Sequence, residues 1–306
     1  MFSLSTNRLF SGVLGIVAAA GSMTAAVAAV QPSAPPRSLW VWDTAAIRAG
    51  GRPQQDFFRF LTAPHGVPAN AIRAIYFDGL NVSQLADPAV TRDLRRFLKT
   101  AHTRHLRVDF LTGDPHWATA ARQPEGLAYI KAILDFNRGG ATAAERFDGF
   151  QYDVEPYSLP DWPSPALRQG LLDLLDRSRE LIHASGHRLL LTAAIPRWFD
   201  QPQFGFLDQG VIDRTDEVLI MDYVESPDRL VDDASGELDY AARVGKKVWV
   251  GVETGEVKDA PQTSFFDLGD TRLEAVLAAA RPRLAARPAF AGYAIHHWAA
   301  YVTLKP

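Results

Sequence analysis

Eight short runs rich in β-branched and aromatic residues recur along this chain at intervals of about 30–44 residues, and that recurrence narrows the fold more than any other feature. They occupy residues 39–42, 72–77, 106–111, 149–154, 188–195, 217–223, 247–252 and 290–295. Between several of them apolar residues recur three and four apart, most clearly over 86–105, 124–137, 164–185 and 271–286, which is helical spacing. Strand alternating with helix predicts parallel strands, and eight such units predict an α/β fold of the (β/α)8 TIM-barrel type in a single domain. An open doubly wound sheet is the rival arrangement, but eight strand signals in a row exceed what it usually needs. The outer helices are expected to be irregular. The pattern is weak over 51–64 and 201–214, and residues 299–306 are too few for a full closing helix. Helix ends are marked by Gly186 and Gly245, and Asp270 and Glu274 place carboxylates near the start of the last good helix.

The N-terminus carries Arg8, an apolar run over residues 9–20 and small residues around Ala26-Val-Ala-Ala29, a pattern that predicts a cleaved secretory signal peptide over 1–29. The apolar run is shorter than the roughly 18–20 residues a spanning helix needs. Residues 30–37, rich in proline, read as an extended spacer, and 38–306 as the barrel. About 277 residues beyond the leader suit a barrel of about 250. A periplasmic or secreted location follows as an expectation. The formal charge is −3 with no basic run, which argues against nucleic acid or, after leader cleavage, a membrane as partner. There is no cysteine, so neither disulfides nor thiolate chemistry is available.

In such a barrel the site is built where the strands end at their C-termini. Those positions here are acidic and aromatic: Trp42-Asp43, Asp78, Asp114, Asp153 with Glu155, Trp198, Asp222 with Tyr223, Glu253, and His296-His297-Trp298. A single strand-end carboxylate is often an ordinary loop residue. Carboxylates at most of the strand ends, joined by flat aromatic rings, point to carbohydrate, because carboxyls handle protons and hydroxyls while aromatic faces pack on sugar rings.

The fourth run is the most informative. Alternation along a strand puts Gln151, Asp153 and Glu155 on one face and Phe150, Tyr152 and Val154 on the other. With the apolar set against the helices, the polar set enters the barrel. Two neighbouring carboxyls resist joint ionisation, so one is held protonated, as a general acid requires. The bland reading is that the pair is scaffold, matched to an arginine or an ion.

Asp148-Gly-Phe-Gln-Tyr-Asp-Val-Glu155 resembles the strand-four signature of family 18 glycoside hydrolases, the chitinases and related endo-N-acetylglucosaminidases. Met221-Asp-Tyr223 is similar to their strand-six element, and Trp298 stands where they place an aromatic pocket floor. The resemblance implies a glycoside hydrolase with Glu155 as proton donor, Asp153 as the assisting carboxylate that orients the substrate N-acetyl group, and Tyr223 as an orienting hydroxyl. It departs at Gln151, where the family has Asp, and at Val224, commonly Asp or Asn there. A second scheme makes Glu155 the acid/base and Glu253 the nucleophile of a retaining pair. A third reading is a barrel that binds carbohydrate in the cell envelope without cleaving it. Asp43, Asp78, Gln151, Trp198, Asp222, Trp298 and His296 are expected to shape the substrate pocket. Trp162 and Trp198 are either sugar platforms or packing beneath their own loops. No metal site or cofactor is expected, since neighbouring His296 and His297 would point to opposite faces of a strand.

Overall fold

A computed structural model describes residues 34–306; the expected leader and the first half of the proline-rich spacer lie outside the described residues. Eight parallel strands close into a barrel in sequence order: β1 (Arg37–Val41), β2 (Ile72–Phe77), β3 (Arg107–Thr112), β4 (Gly149–Tyr152), β5 (Leu190–Pro196), β6 (Glu217–Met221), β7 (Lys247–Glu253) and β8 (Phe290–His296), with β8 pairing back onto β1. All eight predicted runs are strands, and the architecture is the expected (β/α)8 barrel.

The helices sit where the periodicity places them, at Pro88–His102, Gln123–Arg138, Pro165–Ser185 and Gly269–Ala285. Their starts are chemically marked. Asp87 accepts hydrogen bonds from the backbone N–H of Ala89 and Val90, and Pro88 follows it, where a missing N–H costs nothing. The helix Pro165–Ser185 ends on Gly186 at φ 68°, a left-handed position that a side chain would strain. Two weak stretches turn out differently. Residues Gly51–Thr62 form a full helix whose buried Phe57, Phe58 and Leu61 crowd its second half, so its apolar period is too short to read. The later one is only the short helix Leu207–Arg214, and the closing helix shrinks to Trp298–Tyr301.

Alternation divides the strands into two cores. Outward residues such as Phe77, Phe110, Phe150 and Ile220 pack under the helices. Inward residues Trp40, Tyr76, Leu111, Ala194, Leu219, Trp249 and Ala294 fill the barrel. Below them, at the N-terminal ends of the strands, lies an ionic floor. Arg107 Nη2 donates to Asp109 Oδ2 (2.6 Å) and to Glu217 Oε2 (2.8 Å), and Trp249 Nε1 donates to the same Glu217 oxygen (2.8 Å). Gly149 faces Asp109, where a Cβ would come within 2.6 Å of the carboxyl carbon, so the floor dictates glycine at the start of β4. With the lumen filled this way, only the opposite end is open to chemistry.

Candidate active site

At or just past their last residues, six of the strands deliver Trp42, Asp78, Asp153, Tyr223, Glu253 and His296 from their inward faces to the mouth. β4 does this with its outward side anchored: Phe150, Tyr152 and Val154 are buried, and the Tyr152 hydroxyl donates to the carbonyl of Gly126 (3.0 Å). Asp153 N–H donates to Thr112 O (3.0 Å). The next residue, Gly113, runs so close that a Cβ would fall 1.7 Å from Asp153 O, so only glycine fits beside this segment.

Burial pushes the Asp153 carboxyl up to about 7, and the neighbouring charges of Glu155 and Asp78 push the same way, while His296 opposes them. Its Oδ1 is out of contact with solvent and has no hydrogen-bond partner. Glu155 opens the turn Pro156–Ser158, and its Oε1 accepts from the Tyr157 hydroxyl (2.7 Å). Burial and the adjacent carboxylate hold the Tyr157 hydroxyl protonated, which keeps it a donor. The Tyr223 hydroxyl is likewise raised well above its ordinary value, first by burial and then by the fields of Glu253 and Asp153.

On the other side of the mouth, Trp42 Nε1 donates to His296 Nε2 (2.9 Å), and His296 Nδ1 lies 2.6 Å from Glu253 Oε2. The second Glu253 oxygen accepts from Gly255 N–H (2.5 Å). The His296 ring stacks on Tyr223 (centroids 5.8 Å apart, planes at 30°). His297 does not point away as strand alternation suggested: its ring centroid is 4.8 Å from that of His296.

Several expected pocket residues stand elsewhere. Asp222 is turned away from the mouth, because Met221 and Tyr223 on either side of it face inward. Trp298 packs edge-on against Phe57 (4.8 Å) and Phe60 (5.3 Å) of the first long helix, and His296 occupies the place beside Tyr223. Asp43 is exposed on the loop after β1. Gln151 does face inward beneath Asp153, fully buried, with neither amide atom hydrogen-bonded. Trp198 packs on Tyr157 (5.1 Å) and Trp162 (5.9 Å), forming an aromatic cluster directly behind the residue that holds Glu155. Sequence reasoning assigned no role to Tyr157, Trp42, His297 or Gly255. Tyr157 was within reach, two residues beyond Glu155 on the same stretch. Among the described residues, no group of three or more His, Asp or Glu side chains is arranged to hold a metal ion.

Asp222 instead joins a buried acidic pocket behind β6 with Asp208 and Glu237. All three are at most 1% exposed, and neither oxygen of Asp222 or Glu237 has a partner. Burial is the largest cause in each case, raising Asp208 to about 6, Asp222 to about 8 and Glu237 to about 9. These groups keep their protons in the folded chain after the unfolded chain has lost them near pH 4. The native state therefore binds more protons, and stability falls as pH rises from about 4 through about 8–9. An Asp222→Asn, Glu237→Gln double variant should lose less Tm than the wild type between about pH 5 and about pH 8. Equal slopes in thermal scans at the two pH values would contradict this assignment.

The fold and the mouth together define a (β/α)8 barrel with an acidic, aromatic-backed face at the C-terminal ends of its strands. Solved structures with the same fold include ICChI chitinase from Ipomoea carnea, at 12% identity and a TM-score of 0.54 over 87% of this chain and 95% of that one. Concanavalin B matches at 13% identity and a TM-score of 0.51, over 87% of this chain and 93% of that one. At these identities the likeness is one of fold, and it agrees with the architecture implied by the strand-four resemblance. No protein-family model matches the sequence, and no curated protein matches it.

Proposed function

We propose that this chain is a glycoside hydrolase that cleaves an oligo- or polysaccharide, with Glu155 as proton donor and Asp153 as the assisting carboxylate. The observation that carries the reading is Asp153: a carboxyl raised to about 7, with an unpartnered oxygen, two residues before a Glu held by a tyrosine hydroxyl at the barrel mouth. Glu155 gives its proton to the glycosidic oxygen as the bond to the anomeric carbon breaks, and the resulting carboxylate then takes a proton from the attacking water. Asp153 and the Tyr223 hydroxyl position the group that attacks first, an N-acetyl oxygen of the substrate in the family 18 scheme. The same two-carboxyl logic operates in a retaining pair. Against Glu253 as nucleophile stands its bonding, since His296 and Gly255 already engage both of its oxygens. The mature chain is placed in the periplasm or outside the cell, a reading that rests on residues 1–29 and is checked by sequencing the N-terminus of the processed protein.

The test is turnover on a panel of aryl glycosides and polysaccharides across pH. Activity should fall on the alkaline side near pH 7, where Asp153 gives up its proton. Asp153→Asn, which cannot ionise, should remove that limb while lowering kcat. A wild-type chain that binds glycan and cleaves nothing on the panel makes the barrel a binding protein instead.

A further inference from the structure

We propose that Trp42 and His296 are positioning residues: the indole N–H fixes the imidazole as its Nδ1–H tautomer, and the imidazole fixes Glu253 and the Tyr223 ring at the mouth. This rests on the glycosidase reading of the same site.

The argument begins with donors and acceptors. An indole nitrogen can only donate, so the 2.9 Å contact from Trp42 Nε1 requires a lone pair on His296 Nε2. The ring proton then lies on Nδ1, where it meets Glu253 Oε2 at 2.6 Å. The groups facing the ring are Trp40 from β1 and Trp42 just beyond it, Glu253 from β7, Tyr223 beyond β6 and His297 beside it, with Asp153 also within reach. The tryptophan thus decides which ring nitrogen meets Glu253, while Gly255 N–H completes the clamp on the other Glu253 oxygen.

Two amide replacements separate positioning from simple packing. Asparagine puts its amide nitrogen near the place of Nδ1 and can still donate to Glu253, whereas glutamine reaches towards Nε2 and leaves Glu253 without that donor. His296→Asn should keep kcat within about tenfold of wild type, and His296→Gln should lose about 100-fold in kcat with little change in KM. Trp42→Phe removes the donor that demands a lone pair on Nε2, so the ring proton is free to move there and leave Glu253 without its donor, and kcat should fall with little change in KM. Nitrogen-15 NMR of the intact, imidazole-labelled protein should report a protonated Nδ1 and an unprotonated Nε2 for His296 in the wild type, and a change of state in Trp42→Phe. Equal losses in the two amide variants, or an Nε2–H tautomer in the wild type, would overturn the proposal. The NMR measurement needs no turnover, so it tests the clamp even if the chain cleaves no glycoside.

Discussion

Glu155→Gln is expected to lower kcat by about 10²–10⁴-fold with little change in KM, the loss typical of removing a positioned general acid. The amide is the same size, and its carbonyl oxygen can still accept the Tyr157 hydroxyl, so the turn Pro156–Ser158 and the aromatic cluster behind it should survive. What disappears is the proton. The defect should therefore scale with the leaving group, being largest for sugar leaving groups, which need protonation, and smaller for aryl glycosides whose phenolate departs unaided. Steady-state kinetics on two substrates of contrasting leaving-group acidity, with thermal unfolding as a control for folding, make the measurement. Wild-type turnover of an oligosaccharide by this variant would remove Glu155 from the chemistry altogether.

Arg107→Met is expected to destabilise the fold by about 3–5 kcal/mol, because it strips the cation from a floor that keeps its two carboxylates. Asp109 is fully buried and already raised to about 6, burial outweighing the pull of Arg107. Without the guanidinium, Asp109 and Glu217 repel across the barrel, and each must hold a proton or separate. The loss should grow as pH rises above about 6, where the wild-type Asp109 is ionised and the variant resists ionisation. Urea unfolding midpoints at two pH values read both effects. A change below about 0.5 kcal/mol would mean that solvent, rather than Arg107, balances the floor. The remote position of this network, at the opposite end of the lumen from Glu155, predicts that whatever variant protein folds keeps its activity.

The barrel was legible because its two periods are local. Eight runs of strand-forming residues and four helices with spaced apolar faces are properties of short windows, and the closed topology follows from their alternation. Phe57, Phe58 and Leu61 show where that logic weakens: three apolar residues at one end of a helix leave no repeat to count. The site was legible in part for the same reason. Asp153 and Glu155 follow from the alternation of β4, and the inward direction of Glu253 and His296 follows from that of their strands. Asp222 and Tyr223 both came from one strand-end motif, and alternation alone separates them, sending one behind the barrel and the other to its mouth. The contacts that define the mouth were not legible, because they join residues far apart in sequence. Trp42 meets His296 across a separation of 254 residues, and no window of the chain contains both. Trp298 shows the same limit from the other side, since its contacts with Phe57 and Phe60 join it to a helix about 240 residues earlier in the chain.

The ionic floor has one more effect, on traffic rather than stability. With Arg107, Asp109 and Glu217 bonded across one end, and Trp40, Tyr76 and Trp249 packed above them, the barrel is closed at that end. In the proposed reaction the departing sugar and its replacement would both pass through the mouth at the other end, so the acceptor standing there would receive the other half of the substrate, water in dilute solution and a second sugar hydroxyl in a crowded glycan. The balance between trimming a chain and rebuilding one would then be set by occupancy of the entrance.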